Sequence, residues 1–295
     1  MKELRSVKRR KKPKNKVLPY VLLIPTFLFL ILFTFYPFVR SIYLSFFVTD
    51  AMGNPGAFVG LQNYVRIFTS ETFQNSVLAT FKYAAMVGVG TFCGAMFLAF
   101  LCVNEKKGSK IYQTMYSIPI ALASAPIAAL ALYIFTRNGI LNQILGTTTT
   151  WLSTKETAMT CLAICSCWAS MGSSFIYLLV GFRNVPDDLI ECASLDGAGS
   201  LTKFLKIYLP IASPQVFYVV FLNIVGSFKA FGLIKILVGS GPAESTNVLV
   251  YALYSNAFSR GRFETACVYS LALCAIIFVV TRIQFLCEKR WVHYQ

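Results

Sequence analysis

Few side chains in this 295-residue sequence are of types that do chemistry, and their placing speaks against catalysis. The one histidine, His293, stands at the carboxyl end, so histidine-based catalysis or metal chemistry is not available within the body of the chain. Cys161, Cys165 and Cys167 lie close together but lack the paired spacing and the histidines of a zinc site. Like Cys93, Cys102, Cys267, Cys274 and Cys287, they fall in or at the ends of apolar stretches, where a free cysteine packs as a small hydrophobe. Cys192 alone lies in a polar loop. No Gly-x-x-x-x-Gly-Lys-Ser/Thr phosphate loop occurs anywhere. The expectation is a chain with no catalytic residue, no metal and no bound cofactor.

The residues that invite a different chemistry, binding along a path, cluster in one apolar stretch. In GSFKAFGLIKIL, Lys229 and Lys235 place charge inside a hydrophobic segment, which is costly and points to function by default. Lys235 suits snorkelling to the membrane interface. For Lys229, facing a pathway and snorkelling both stand; the former favours an anionic solute over a neutral one. Asn223 and Phe228 are further pathway candidates, because amides bond hydroxyls and aromatic faces pack on the apolar faces of rings. The plainer role of an Asn between membrane helices is structural glue.

What must position these residues is a bundle of helices in lipid. The chain is 56% hydrophobic and only 13% charged, whereas soluble domains run near ~25% charged. Six stretches are long enough to cross a bilayer: 17–39, 77–103, 112–135, 158–181, 211–236 and 265–287. The expected fold class is therefore all-α integral membrane with six transmembrane helices. The first apolar run is too long for a cleaved signal peptide. Pro25, Pro119 and Pro126 lie inside these stretches and predict bent helices. Nine of the 27 Lys and Arg occupy residues 1–16, ahead of a six-span domain over 17–295. With that tail inside, the inner segments carry 18 basic residues, in keeping with the positive-inside rule; both termini are expected in the cytoplasm of a cell-membrane protein. Membrane lipid is a natural partner for the tail, which is equally read as merely solvated. The basic excess has no soluble fold with interleaved aromatics behind it, so nucleic acid is not expected as a partner. Trp151 and Trp291 suit interfacial anchoring at opposite faces.

The loop at 183–210, RNVPDDLIECASLDGAGSLTKFLKIYLP, is unlike the others. Pro186 fits a helix start, and Asp187 and Asp188 place negative charge at its positive end. Residues 187–196 read as a short helix that Gly197 and Gly199 stop, followed by a second through Phe204, Leu205 and Ile207 to Pro210. On these grounds alone a docking element and a helix lying on the membrane surface both fit.

This stretch resembles the coupling-loop signature of importer-type ATP-binding-cassette permeases: Glu-Ala-Ala, three residues, Gly, nine residues, Ile, any residue, Leu, Pro. Here these are Glu191, Cys192, Ala193, Gly197, Ile207, Leu209 and Pro210, with Asp196 directly before the glycine; only Cys192 departs, small for small. Phe58-Val59-Gly60-Leu61-Gln62-Asn63-Tyr64, Gly239-Ser240-Gly241-Pro242 with Ser245 and Thr246, and Asn256-Ala257-Phe258 resemble segments of the carbohydrate-uptake branch (maltose, glycerol-3-phosphate and multiple-sugar type). The third span looks most like that of glycerol-3-phosphate permease subunits.

The resemblance implies a cytoplasmic coupling helix seated on an ATPase subunit. It also implies a non-enzymatic permease whose partners are a second permease subunit, a cytoplasmic ATPase dimer that uses ATP and Mg, and an extracellular solute-binding protein. The rival is a stand-alone ion-coupled secondary transporter, which would want acidic groups at the midplane. No Asp or Glu lies deep in any span; Glu264, at the start of the last, is nearest.

Overall fold

The computed structural model describes residues 18–103 and 109–291. The basic segment 1–16, residues 104–108, His293 and both chain ends lie outside them, as does the Trp291 side chain. Six helical runs are long and apolar enough to cross a membrane: Pro19–Ser45, Glu71–Cys102, Ser124–Leu145, Lys155–Arg183, Ser213–Leu237 and Phe263–Lys289.

The second and fourth spans are unbroken and form the centre. Ser70 caps the second, its hydroxyl accepting the Phe73 N–H at 3.3 Å, so this helix starts six residues before the apolar run. Glycines let the two helices approach closely: a Cβ at Gly90 would lie 2.7 Å from Cys167 Sγ, and one at Gly94 would lie 2.4 Å from Met171 Cε. The Tyr83 hydroxyl donates to Ser166 Oγ across the same seam, at 2.8 Å.

The third and fifth spans differ from expectation. Each was expected as one helix, over 112–135 and 211–236, and each is interrupted. In the third, helix Ser109–Ser117 passes into a 3-10 turn, Ile118–Ala121, before Ser124–Phe135 resumes. Pro119 and Pro126 are the cause, since neither can donate to the ladder and Pro126 sits in the first turn of the resumed helix. In the fifth, helix Ser213–Phe228 stops with Lys229 as its cap, Phe231 departs from helical geometry, and Gly232–Leu237 continues. The two breaks meet: a Cβ at Gly232 would lie 2.6 Å from Ser124 Oγ.

The first span runs on past the apolar stretch to Ser45, and none of its most apolar window is buried. Its lower part, Tyr36–Ser45, packs on the sixth span. Pro25 lies inside a regular helix, but Pro37 follows a π turn, Ile31–Phe35, and Pro210 follows another, Phe204–Tyr208. A proline ring collides with the carbonyl four residues earlier, and one widened turn moves that carbonyl aside.

One end of the bundle carries the hairpin β1 (Phe47–Thr49) and β2 (Pro55–Phe58), paired antiparallel with Phe47 opposite Phe58. The Asp50 carboxylate accepts the Met52 and Asn54 N–H groups at 2.9 and 2.8 Å and closes the turn, with Gly53 at φ +81°. Trp151, at this end, does not stand free at an interface. Its indole N–H donates to Asn142 Oδ1 at 2.8 Å, and the ring packs on the outer core cluster. The 183–210 loop lies at the opposite end.

Candidate functional site

A cavity of about 460 Å³ opens where the two interrupted spans cross the second and fourth. Such a size is typical of small-molecule sites. Its polar wall comes chiefly from one helical stripe on the fourth span: Ser166, Ser170, Ser173, Ser174 and Tyr177. Apart from the adjacent Ser173 and Ser174, these positions recur every three or four residues, so one side of an apolar helix presents four hydroxymethyl groups and a phenol. This stripe was not singled out in the sequence, although its spacing is visible there. Across from it stand Asn223, Ser227 and Phe231 of the fifth span and Ser124 of the third.

The pathway candidates separate here. Asn223 lines the cavity. Its Oδ1 accepts the Ser174 hydroxyl at 3.1 Å, while its Nδ2 is buried with no hydrogen-bond partner among the described residues. A buried donor left unmatched costs about 1–3 kcal/mol, which a hydroxyl-bearing guest would recover. Phe228 does not line the cavity. It is 3% exposed and packs edge-on against Phe81, with ring centroids 5.4 Å apart. The break that follows it turns Phe231 inward instead. Lys229 caps the interrupted helix, is exposed, and is likewise not a lining residue. Lys235 is not simply snorkelling: its ammonium donates to the Tyr254 hydroxyl at 2.8 Å and lies 4.2 Å from that ring's centroid. Among the described residues, no charged side chain lines this cavity, so the wall is built for neutral hydrogen-bonding groups.

At the other end of the spans, the expected short helix forms over Asp187–Leu195 with Asp187 and Asp188 in its first turn. Not one of its residues is buried, and Leu195 is 88% exposed. Glu191, Cys192 and Asp196 are exposed; Ala193 is half-buried. Gly197 ends the helix at φ +77°, and the Ala198 N–H returns to the Ala193 carbonyl at 2.9 Å. A Cβ at Gly197 would touch nothing within 4 Å, so conformation and not space calls for glycine.

The arm that follows is anchored. Phe204 is buried against Phe100 and Phe182, with centroids 4.6 and 5.2 Å away, which ties the loop to the ends of the second and fourth spans. Ile207, Leu209 and Pro210 are half-buried, and Leu209 packs on the same core cluster. Lys203 Nζ donates to Ser194 Oγ at 2.7 Å, bracing the helix against the arm. Burial pushes the Tyr208 phenol up, with Asp187 adding to the shift. The loop is thus tied by an aromatic joint to two spans that line the cavity.

The segments at the hairpin end are structural. Asn63, 2% exposed, donates to the Ser45 and Phe47 carbonyls at 3.0 and 2.9 Å, and the Tyr64 hydroxyl meets Ser45 Oγ at 2.6 Å. Glu264 is buried at the start of the last span, accepting the Thr49 hydroxyl at 2.6 Å with Arg66 Nη2 3.8 Å away. In Gly239-Ser240-Gly241-Pro242 both glycines have positive φ, and a Cβ at Gly241 would strike Thr246 Oγ1.

Residues 94–293 match the family described as binding-protein-dependent transport system inner membrane component. The sn-glycerol-3-phosphate transport system permease protein UgpA of Agrobacterium fabrum strain C58 is 30% identical, covering 95% of this chain and 97% of its own. The probable ABC transporter permease protein YurN of Bacillus subtilis strain 168 is also 30% identical, covering 91% and 93%. Among solved structures, a bacterial ABC transporter involved in the import of the acidic polysaccharide alginate superposes with a TM-score of 0.82 at 21% identity, over 92% of this chain and 95% of that one. That likeness shows a shared fold, the six-span importer-type permease. The chain belongs to the binding-protein-dependent transport system inner membrane component family, as a multi-pass permease of an ATP-binding-cassette importer.

Proposed function

We propose that this permease forms one half of a membrane path for a carbohydrate or related hydroxyl-rich solute. Uptake is driven by ATP hydrolysed, with Mg, on a separate cytoplasmic ATPase dimer. The observation that carries the reading is the Asp187–Leu195 helix, which bears the coupling signature, buries none of its side chains, and stands on an aromatic joint to the cavity-lining spans. Leu189, Leu195 and the charged residues of this helix are uncovered by the rest of the chain, which leaves it able to enter a partner's groove. In this reading Glu191, Cys192, Ala193, Asp196 and Gly197 meet the ATPase, and Ile207, Leu209 and Pro210 hold the arm. Both termini are cytoplasmic, and residues 1–16 form a basic tail ahead of the 17–295 domain. An extracellular solute-binding protein delivers solute, and a second permease subunit completes the path.

The serine stripe, Tyr177 and the unmatched Asn223 amide favour a polyol, since they offer many weak donors and acceptors and no counter-ion. Two relatives carry acidic solutes in their names, glycerol 3-phosphate and alginate, so any charge recognition for such a solute falls to the other permease or the binding protein. An ion-coupled secondary transporter is disfavoured, because Glu264 is already engaged by Thr49 and Arg66 at one end of its span.

Co-purification of the tagged chain with its neighbouring gene products tests the proposal. A second permease and an ATPase stimulated by loaded binding protein are expected. A chain that purifies alone and transports in vesicles without ATP would overturn it.

A further inference from the structure

A second opening lies at the Asp187 end, between helix Ser109–Ser117 and the last two turns of the fourth span. It measures about 550 Å³ and is amphipathic along its length. At its mouth stand Lys110 and Arg183. Deeper in, Gln113 presents an Nε2 that is buried and has no hydrogen-bond partner among the described residues. The hydroxyls of Thr114 and Ser117 are turned back to the Lys110 and Gln113 carbonyls at 2.8 and 2.7 Å. The groove thus carries the Lys110 ammonium and the Gln113 amide beside the Arg183 guanidinium. Below them the wall becomes purely apolar: Phe175 and Leu179 form a buried floor, and Ile176 and Val180 an exposed flank.

We infer that this groove binds the headgroup and upper acyl chain of an anionic phospholipid of the leaflet that faces the coupling loop. The charge at the mouth fits a phosphodiester, and the unmatched amide supplies a neutral donor to the same oxygens. The apolar flank distinguishes a lipid from a soluble anion, because a free phosphate or acidic sugar has nothing to place on Ile176 and Val180. Basic pockets between membrane helices on the cytoplasmic side are where anionic headgroups are held. The groove is separate from the serine-lined cavity and shares no lining residue with it. A lipid seated there would bridge the third and fourth spans one turn from the coupling loop.

The test uses the assembled permease complex, purified in detergent, with retained lipid extracted and quantified by mass spectrometry. Wild type is expected to retain phosphatidylglycerol over phosphatidylethanolamine. Lys110→Gln should lower the retained phosphatidylglycerol about fivefold, the worth of one basic group near an anionic surface, with phosphatidylethanolamine unchanged. Gln113→Leu should lower it by less. Equal retention in wild type and both variants would overturn the proposal. A photoreactive residue at Val180 in the otherwise native chain gives an independent reading that does not depend on those variants folding. Cross-linking to phospholipid supports the site; cross-linking to the second permease, or loss of the label's lipid adduct on adding inorganic phosphate or glycerol 3-phosphate, refutes it. None of these readouts depends on transport, so the result stands apart from that of the uptake proposal.

Discussion

The two ends of the bundle are built on opposite terms. At the hairpin end, several polar side chains are buried and matched: Asn63 reaches two carbonyls, and Glu264 is engaged by Thr49 and Arg66. Asn142 donates to three carbonyls and accepts from Thr147 and Trp151. At the Asp187 end the signature helix buries nothing and is held by its aromatic arm and a lysine–serine brace. Buried, satisfied networks give one fixed geometry, whereas an element with few buried contacts is free to be repositioned by whatever binds it. The difference teaches that, within this chain, the hairpin end holds its polar groups in fixed networks while the signature helix is left uncovered.

Breaking the comparison where the contrast is sharpest should have the largest effect. Glu191→Lys or Gly197→Asp is expected to reduce uptake to background while membrane levels match wild type; normal uptake by either well-expressed variant would remove the docking role. Asn63→Ala should do the reverse. Leaving the Ser45 and Phe47 carbonyls unmatched costs about 1–3 kcal/mol, read as a lower melting temperature of the solubilised complex, with ATPase stimulation retained per folded molecule. Asn223→Leu is expected to raise the half-saturating solute concentration about tenfold without changing melting, the value of one hydrogen bond to a bound hydroxyl. An unchanged concentration dependence would place the solute elsewhere.

Smaller still is Lys235→Met, which should cost about 1 kcal/mol of stability through the lost contact with Tyr254, read as a slightly lower melting temperature. The smallest effect belongs to Asp50, whose carboxyl is held below its ordinary value of 3.8 chiefly by hydrogen bonds from Asn54. A lowered folded value means the turn is supported above that pH and loses support as the pH falls through the folded value. The protection of the Asn54 amide, measured as its exchange rate relative to the intrinsic rate at each pH, should therefore fall on acidification in wild type and stay constant in Asp50→Asn.

Which features could be read in advance follows from what each depends on. The six spans depend on apolar length, and the Asp187–Leu195 helix on local signals: acidic residues at its start and Gly197 at its end. Both are written residue by residue. The interruption of the fifth span is not, because Lys229–Phe231 carry no proline and the flanking residues are apolar on either side of it. A helix continued through that point would have sent Phe228 and Phe231 along one staircase; the break buries one on Phe81 and turns the other into the cavity. The proline pair in the third span announced bending but not that the chain would leave the helix between them. The serine stripe of the fourth span was available to the eye at its helical spacing, and needed only the question of which face of an apolar span is polar.

The lone first span has a consequence for how the protein is made. Its lower part meets the last span, and Thr49 and Glu264 close that contact across 215 residues of sequence. Loops of that size close slowly, and their contacts reward the chain only after every intervening residue exists. During synthesis the first span, held early at Ser45 by Asn63 and Tyr64, must therefore wait for its packing on the sixth span until that helix is made. A chain cut short before Glu264 would leave Tyr36–Ser45 without the face it packs on and Thr49 without its acceptor.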